Sequence, residues 1–290
     1  MKSLRSVGAS PGVAAASGVP RDVVVFSGGG PLGAAQAGML RELLGSGVRP
    51  AAVVGCSVGA LNAAFIAHDP TLERADALIE LWRSLCTADV FPGSRLTWAK
   101  NLLIHHDRLF DDRPLRALVR RGFPRHDLAE SVIPVHVVTT DLFARRAAYH
   151  SSGHAETILA ASAAIPGVFP PVRIAERLHV DGGVTALVPV RHALTLGERI
   201  WVLDVTGSDD RGVAGSMRAL DVIGLAFSIA LHAQPDQDIA ASHPAVTVIS
   251  LDRSTAHLAR NPFGLDHSAA LIAAGRSAAR AVLAELPVAA

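Results

Sequence analysis

The stretch Gly55-Cys56-Ser57-Val58-Gly59 constrains this chain most, because it demands an abrupt turn from strand to helix. Ala51-Ala52-Val53-Val54 before it reads as a short buried strand, and Val58 to Ala67 after it reads as a helix apolar almost all round. Glycines at 55 and 59 remove the Cβ atoms that would collide in so tight a turn. Ser57 is then expected to stand exposed at the tip, with a helix N-terminus behind it to favour developing negative charge. This is the geometry of a serine nucleophile. A capping serine in a buried strand-to-helix turn is the plainer reading.

A second signal lies upstream. The apolar strand Asp22-Val23-Val24-Val25-Phe26 runs directly into Ser27-Gly28-Gly29-Gly30-Pro31-Leu32-Gly33, and a helix from Ala34 to Leu44 follows. Consecutive glycines let backbone N–H groups converge on an anion. The spacing Gly28-x-Gly30-x-x-Gly33 also fits a dinucleotide fingerprint, which requires an acidic residue about 20 residues on, at the end of the next strand. No Asp or Glu occurs from Gly45 through Asn62, so nucleotide binding is disfavoured. An oxyanion hole formed by Gly28, Gly29 and Gly30 uses the same physics.

The third signal is Leu178-His179-Val180-Asp181-Gly182-Gly183, where a strand expected from Val172 delivers a carboxylate to a glycine turn. By itself this is an Asx-type turn. Beside the other two segments, Asp181 becomes a candidate base for Ser57.

Together these segments resemble the patatin-like phospholipase family. Gly28 to Gly33 matches its glycine-rich oxyanion loop, Gly55 to Gly59 its nucleophile elbow, and Asp181-Gly182-Gly183 its Asp-Gly-Gly motif. The stretch from Ala161 to Pro171 is similar to the family's segment ahead of the catalytic aspartate. The resemblance implies a three-layer α/β sandwich and a Ser57–Asp181 dyad that forms an acyl-enzyme. It implies a lipid or ester substrate, no cofactor and a transient contact with a membrane surface. Two departures bear on substrate preference. Leu32 stands where many members carry a basic residue, and Thr185-Ala186-Leu187 follows the aspartate turn where many have Asn.

Strand-like and helix-like segments alternate along the rest of the chain. Strands are expected at Val132–Thr140, Arg146–His150, Arg199–Val205 and Ala245–Leu251, and helices at Glu156–Ala164, Met217–His232 and His267–Leu286. Such alternation predicts helices flanking a mostly parallel sheet, with catalytic groups at the carboxyl ends of strands. Half of the 290 residues are apolar and 18% charged, enough for one large α/β domain over residues 21–290. Residues 1–20, rich in Gly, Ala, Ser and Pro, read as a flexible tail without a signal-peptide pattern, and no apolar run is long enough to span a membrane. The expectation is therefore a cytoplasmic protein, peripheral at a membrane if its substrate is a lipid. A net charge of +1 gives no case for nucleic acid.

Cys56 and Cys86 exclude a disulfide-rich scaffold, and Cys56 should point from the elbow into the core. Phe91 to Asp112 interleaves apolar and basic residues, as either a lid or an ordinary packed surface segment. Thirteen histidines raise a Ser-His-Asp esterase as the rival mechanism, with His179, His257 and His267 best placed; His136, His150, His154, His192 and His232 lie near expected element ends. No cluster has metal-ligand spacing, and His105-His106-Asp107 reads as a solvated turn. A non-catalytic lipid-binding relative is the remaining alternative.

Overall fold

The apolar run Asp22–Phe26 forms strand β1 and is buried along its whole length. Its side chains alternate between two cores: Val24 and Phe26 enter one, Val23 and Val25 the other. A strand apolar on both faces needs a covering layer on each side, as central strands of parallel sheets do. The computed structural model describes residues 21–93, 104, 108–206, 229–231, 233–252, 255, 258, 261 and 263–286.

Seven further strands complete the sheet: β2 (Pro50–Cys56), β3 (Val135–Asp141), β4 (Arg146–His150), β5 (Val172–Ile174), β6 (Arg177–Asp181), β7 (Arg199–Asp204) and β8 (Val246–Ser250). Their order is β5-β6-β3-β2-β1-β7-β8, with β4 also paired to β3. Pairs β1–β2, β1–β7, β2–β3 and β7–β8 are parallel, whereas β3–β4, β3–β6 and β5–β6 are antiparallel. On one face lie helices α1 (Gly33–Gly45), α2 (Val58–Ala67) and α3 (Leu72–Ser84), together with Ser268–Glu285. Short helices at Gly183–Ala186 and Val190–Ala193 and the helix Pro235–Ser242 cover the other. The flanked sheet expected from the alternation is therefore present.

Two expectations change. The strand expected from Val172 to Asp181 is a hairpin, folded at Ala175–Glu176 with Ile174 paired to Arg177 and Ala175 at φ +50°. No Gly or Asn marks that turn, so the usual sequence signal for positive φ is missing. Strand β3 starts at Val135 rather than Val132, since Pro134 withholds an N–H from the ladder. The segments expected as a tail (1–20) and as a helix (Met217–His232, apart from 229–231) lie outside the described residues, as does most of 91–112.

One topological detail positions the site. Along a single edge of β3, β2 covers Val135–Val138 and ends with Cys56 opposite Val138. On the same edge β6 arrives from the opposite direction and ends with Asp181 opposite Thr139. Strand β4 occupies β3's other edge over Val137–Asp141. Strands β2 and β6 thus meet end to end at adjacent residues of β3.

Candidate active site

Ser57 follows β2 directly and begins α2 at φ 54°, ψ −127°. A non-glycine residue in this region costs roughly 1–3 kcal/mol and persists only where its surroundings enforce it. The enforcement is visible. A Cβ on Gly55 would lie 2.6 Å from Ala60 Cα and closer still to the Gly59 carbonyl oxygen, while one on Gly59 would overlap the Phe26 and Ser27 carbonyl oxygens. The elbow is therefore wedged against both α2 and β1. The Ser57 N–H donates to Ser162 Oγ at 3.0 Å, and that hydroxyl donates to the Val138 carbonyl at 2.6 Å. Ser57 makes no side-chain cap and is 6% exposed, so it lies at the base of a cavity and not on an open tip.

The end-to-end meeting of β2 and β6 brings Asp181 to this serine. Ser57 Oγ donates to Asp181 Oδ2 at 2.6 Å. The other carboxylate oxygen accepts the Gly183 N–H at 2.7 Å, so the Asx turn read from the sequence also orients the carboxylate. Thr140 Oγ1 donates to the Asp181 carbonyl at 2.8 Å, and the Asp181 N–H donates to the Ala164 carbonyl at 2.9 Å. Burial pushes the Asp181 carboxyl up to about 6, against the opposing pull of the bonds from Ser57 and Gly183. A carboxylate with that affinity for protons is a far better base than an ordinary aspartate.

The glycine loop is divided in its roles. Gly28 N–H donates to the Leu187 carbonyl at 3.0 Å, so this amide is engaged in holding the loop and does not face an oxyanion. That corrects the assignment of Gly28 as an oxyanion donor. The Gly29, Gly30 and Val58 N–H groups have no partner among the described residues. Gly30 sits at φ +54° in a single 3₁₀ turn, Gly30–Leu32, ahead of α1. The Leu187 N–H donates to Gln234 Oε1, while Gln234 Nε2 donates to the Gly183 carbonyl. The residues that follow the aspartate turn thus brace both the loop and the turn.

Beneath the loop runs a buried polar network that motif reading missed. Gln36 Nε2 donates to the Ser27 and Leu203 carbonyls, Asn62 Nδ2 to the Gly33 carbonyl and Gln36 Oε1, and Trp82 Nε1 to Asn62 Oδ1. Ser27 Oγ accepts the Val205 N–H at 2.9 Å. Both ends of the loop, Ser27 and Gly33, are gripped by it. Its trace in the sequence is a polar residue set within an apolar run of each helix, Gln36 between Gly33 and Leu40 in α1 and Asn62 in α2.

From Ser57 a cavity of about 900 Å³, counted with its open mouth, extends between α2, α3 and the helix Arg113–Gly122. Its walls are apolar, including Leu61, Phe65, Leu81, Leu115 and Phe123, as in sites that take apolar ligands. The described part of 91–112 packs here: Phe91 contacts Phe110, Phe169 and Phe263 with ring centroids 5.0–5.7 Å apart. The rest of that segment, His105-His106-Asp107 included, lies outside the described residues.

Among the described residues no histidine bonds to Ser57 or Asp181. His179 and His150 share Thr139 Oγ1 at 2.9 and 2.8 Å, His136 pairs with His192, His154 caps its own helix, and His267 is exposed. His232 and His257 lie outside the described residues. Cys56 points into the core opposite Val138, and burial pushes its thiol well up, with the Asp181 charge adding to the effect. That thiol stays protonated and is a poor rival to Ser57.

The family description Patatin-like phospholipase matches residues 24–194, from within β1 past the Asp181 turn. The chain belongs to the patatin-like phospholipase family. This patatin-like chain is 28% identical over 193 residues to the Lysophospholipase nte1 of Aspergillus terreus, covering 66% of the chain and 12% of that protein. It is 25% identical over 189 residues to the Patatin-like phospholipase domain-containing protein 7 of Mus musculus, covering 64% of the chain and 14% of that protein. The chain therefore matches only a small part of the length of these curated relatives. Among solved structures, VipD from Legionella pneumophila aligns over 88% of this chain and 67% of its own, with a TM-score of 0.42 and 14% identity. No described helix is long and apolar enough to cross a membrane.

Proposed function

We propose that the chain is a serine acyl hydrolase that cleaves fatty acyl esters through Ser57 and Asp181. The observation that carries this reading is the 2.6 Å bond from Ser57 Oγ to a buried carboxylate whose pKa is raised to about 6. As Oγ attacks the ester carbonyl carbon, its proton passes to Asp181 Oδ2, and the carbonyl oxygen gains negative charge. The Gly29 and Gly30 N–H groups, assisted by the N-terminus of α2, stabilise that oxyanion. Collapse of the intermediate breaks the ester C–O bond, and Asp181 returns its proton to the departing alcohol. A water molecule then gives its proton to Asp181 and attacks the acyl-enzyme; the fatty acid leaves and Ser57 recovers the proton.

The cavity supports a fatty acyl ester as the substrate class. Apolar walls leading away from Ser57 suit an acyl chain, while the alcohol portion would leave toward the mouth. Phospholipids, lysophospholipids and simpler carboxylesters all meet that description, and the names of the relatives point the same way. A fluorophosphonate probe tests the proposal. Labelling at Ser57, abolished in Ser57→Ala and retained in Cys56→Ala, is expected together with hydrolysis of a fatty acyl ester. A folded wild-type chain that takes no label and turns over no ester refutes it, and acyl binding without labelling would identify a non-catalytic lipid-binding relative.

A further inference from the structure

The turn between β3 and β4 is built rigidly around Asp141. Its carboxylate accepts the Phe143 and Ala144 N–H groups at 2.9 Å each, and Arg177 from β6 donates to its second oxygen at 2.9 Å. The Arg145 N–H donates to the Asp141 carbonyl at 2.8 Å. What this braced turn presents to solvent is apolar. Phe143 is 81% exposed and Leu142 45% exposed. The Leu142 N–H donates to the Leu178 carbonyl, which places a third side chain, 41% exposed, on the adjoining strand.

Basic residues accompany them. Arg145, Arg146, Arg173 and Arg177 are all exposed on this turn and the β5–β6 hairpin, and the Arg177 guanidinium lies 5.4 Å from the centroid of the Phe143 ring. The same segments carry three acids: Asp141, which Arg177 pairs, Asp181, which is buried at the far end of β6, and the exposed Glu176. The whole chain carries only +1, so positive charge is concentrated at this tip.

We propose that the β3–β4 turn, with Leu178 and the arginines beside it, is a docking tip that inserts Phe143 and Leu142 into an anionic lipid surface. Single exposed apolar residues need no explanation, but a group of them on a projecting, tied-down turn does. A protein partner would require about 800 Å² of matching surface on each side, far more than three side chains on a turn supply. Anionic lipid suits the chemistry directly: aromatic and aliphatic tips enter the acyl boundary while arginines bury their stems and keep their charges among the headgroups. The location suits it as well. Leu178 precedes Asp181 by three residues of β6, about 10 Å at the rise of a strand. Docking here holds the Ser57–Asp181 pair close under the headgroups from which an acyl ester would be drawn. The choice of lipid as occupant rests on the hydrolase reading above.

Co-sedimentation of the full chain with vesicles tests it, using phosphatidylcholine alone and phosphatidylcholine mixed with phosphatidylglycerol. Binding is expected to the mixed vesicles, to weaken in high salt, and to be far weaker to phosphatidylcholine alone. Each arginine near an anionic surface contributes about fivefold in partitioning. Arg145→Glu with Arg146→Glu should therefore lower binding at least 25-fold, about fivefold for each of the two. Phe143→Ser should lower it about tenfold or more, while hydrolysis of a water-soluble short-chain ester stays at the wild-type level. Undiminished binding by both variants, equal binding to the two vesicle types, or a dimer in solution that Phe143→Ser dissolves would overturn the proposal. Vesicle binding measured in Ser57→Ala keeps the two proposals apart, because loss of hydrolysis leaves this readout intact.

Discussion

Replacing Asp181 with asparagine should remove activity and at the same time make the protein more stable, by an amount that depends on pH. The wild-type carboxyl rises from its ordinary value of 3.8 to about 6 because folding buries it. At 1.36 kcal/mol for each pH unit, that rise corresponds to about 3 kcal/mol. Its sign follows from proton binding. Between about pH 4 and pH 6 the folded carboxyl holds a proton that the unfolded one has lost, so stability falls as pH climbs through this window and levels off above it. The substituted amide would keep a carbonyl oxygen for the Gly183 N–H and carry no charge to bury. The gap between Asp181→Asn and wild type should therefore widen by about 2 kcal/mol from pH 4 to pH 7, since the unfolded carboxyl is already partly ionised at pH 4, a difference of roughly 4 °C in Tm for a domain of this size. Thermal or urea unfolding of both proteins across pH 4–8 measures it, and initial rates of ester hydrolysis run in parallel should rise through about pH 6 in the wild type only. A gap that does not change with pH would show that Asp181 is not desolvated and that burial does not raise its basicity. Because Asp181 titrates near the ordinary range of a histidine, the acidic limb of a pH–rate profile does not by itself separate dyad from triad.

Other perturbations report on other parts of the site. Ser57→Gly should be about 1 kcal/mol more stable than Ser57→Ala, opposite to the usual order, because only glycine is relaxed at φ +54°; equal or reversed unfolding midpoints would refute the strain. Gly30→Val, also at positive φ, should lower kcat by about 10²–10³ with a smaller change in KM, since a misdirected amide fails only once the oxyanion forms; an unchanged kcat would make the loop merely structural. Asn62→Leu strips partners from Trp82 Nε1, Gln36 Oε1 and the Gly33 carbonyl, and should cost about 3 kcal/mol or more in stability while lowering kcat; Trp82→Phe should show a smaller loss of the same kind. If both variants retain full stability, the network does not hold the loop.

The parts of the site that local sequence could reveal are those created by local sterics. Gly55 and Gly59 around Ser57 announce a strand-to-helix elbow because no larger residue fits so close to α2 and β1. The continuous apolar runs of β1, β2 and β7 imply a sheet covered on both faces for a similarly local reason. Legibility stopped where a feature depended on distant partners. Gln36 and Asn62 become supports of the glycine loop only after α1 and α2 bring them together. Ser162 holds the Ser57 amide across 105 residues of chain, and no spacing within either segment encodes that.

The amino-acid sequence by itself determined which groups are available: a hydroxyl on a sharp turn, a glycine-rich loop after a strand, and an aspartate before paired glycines. The tertiary structure decided how they meet. Strands β2 and β6 approach along the same edge of β3 from opposite directions, and only that arrangement sets Ser57 Oγ 2.6 Å from Asp181. It also decided that the Gly28 N–H donates to the Leu187 carbonyl, and that the aspartate loses its water and gains affinity for a proton. The physical reason is range. Backbone sterics and propensities act over a few residues and can be read along the chain, whereas hydrogen-bond partners and desolvation are set by whatever the completed fold places alongside.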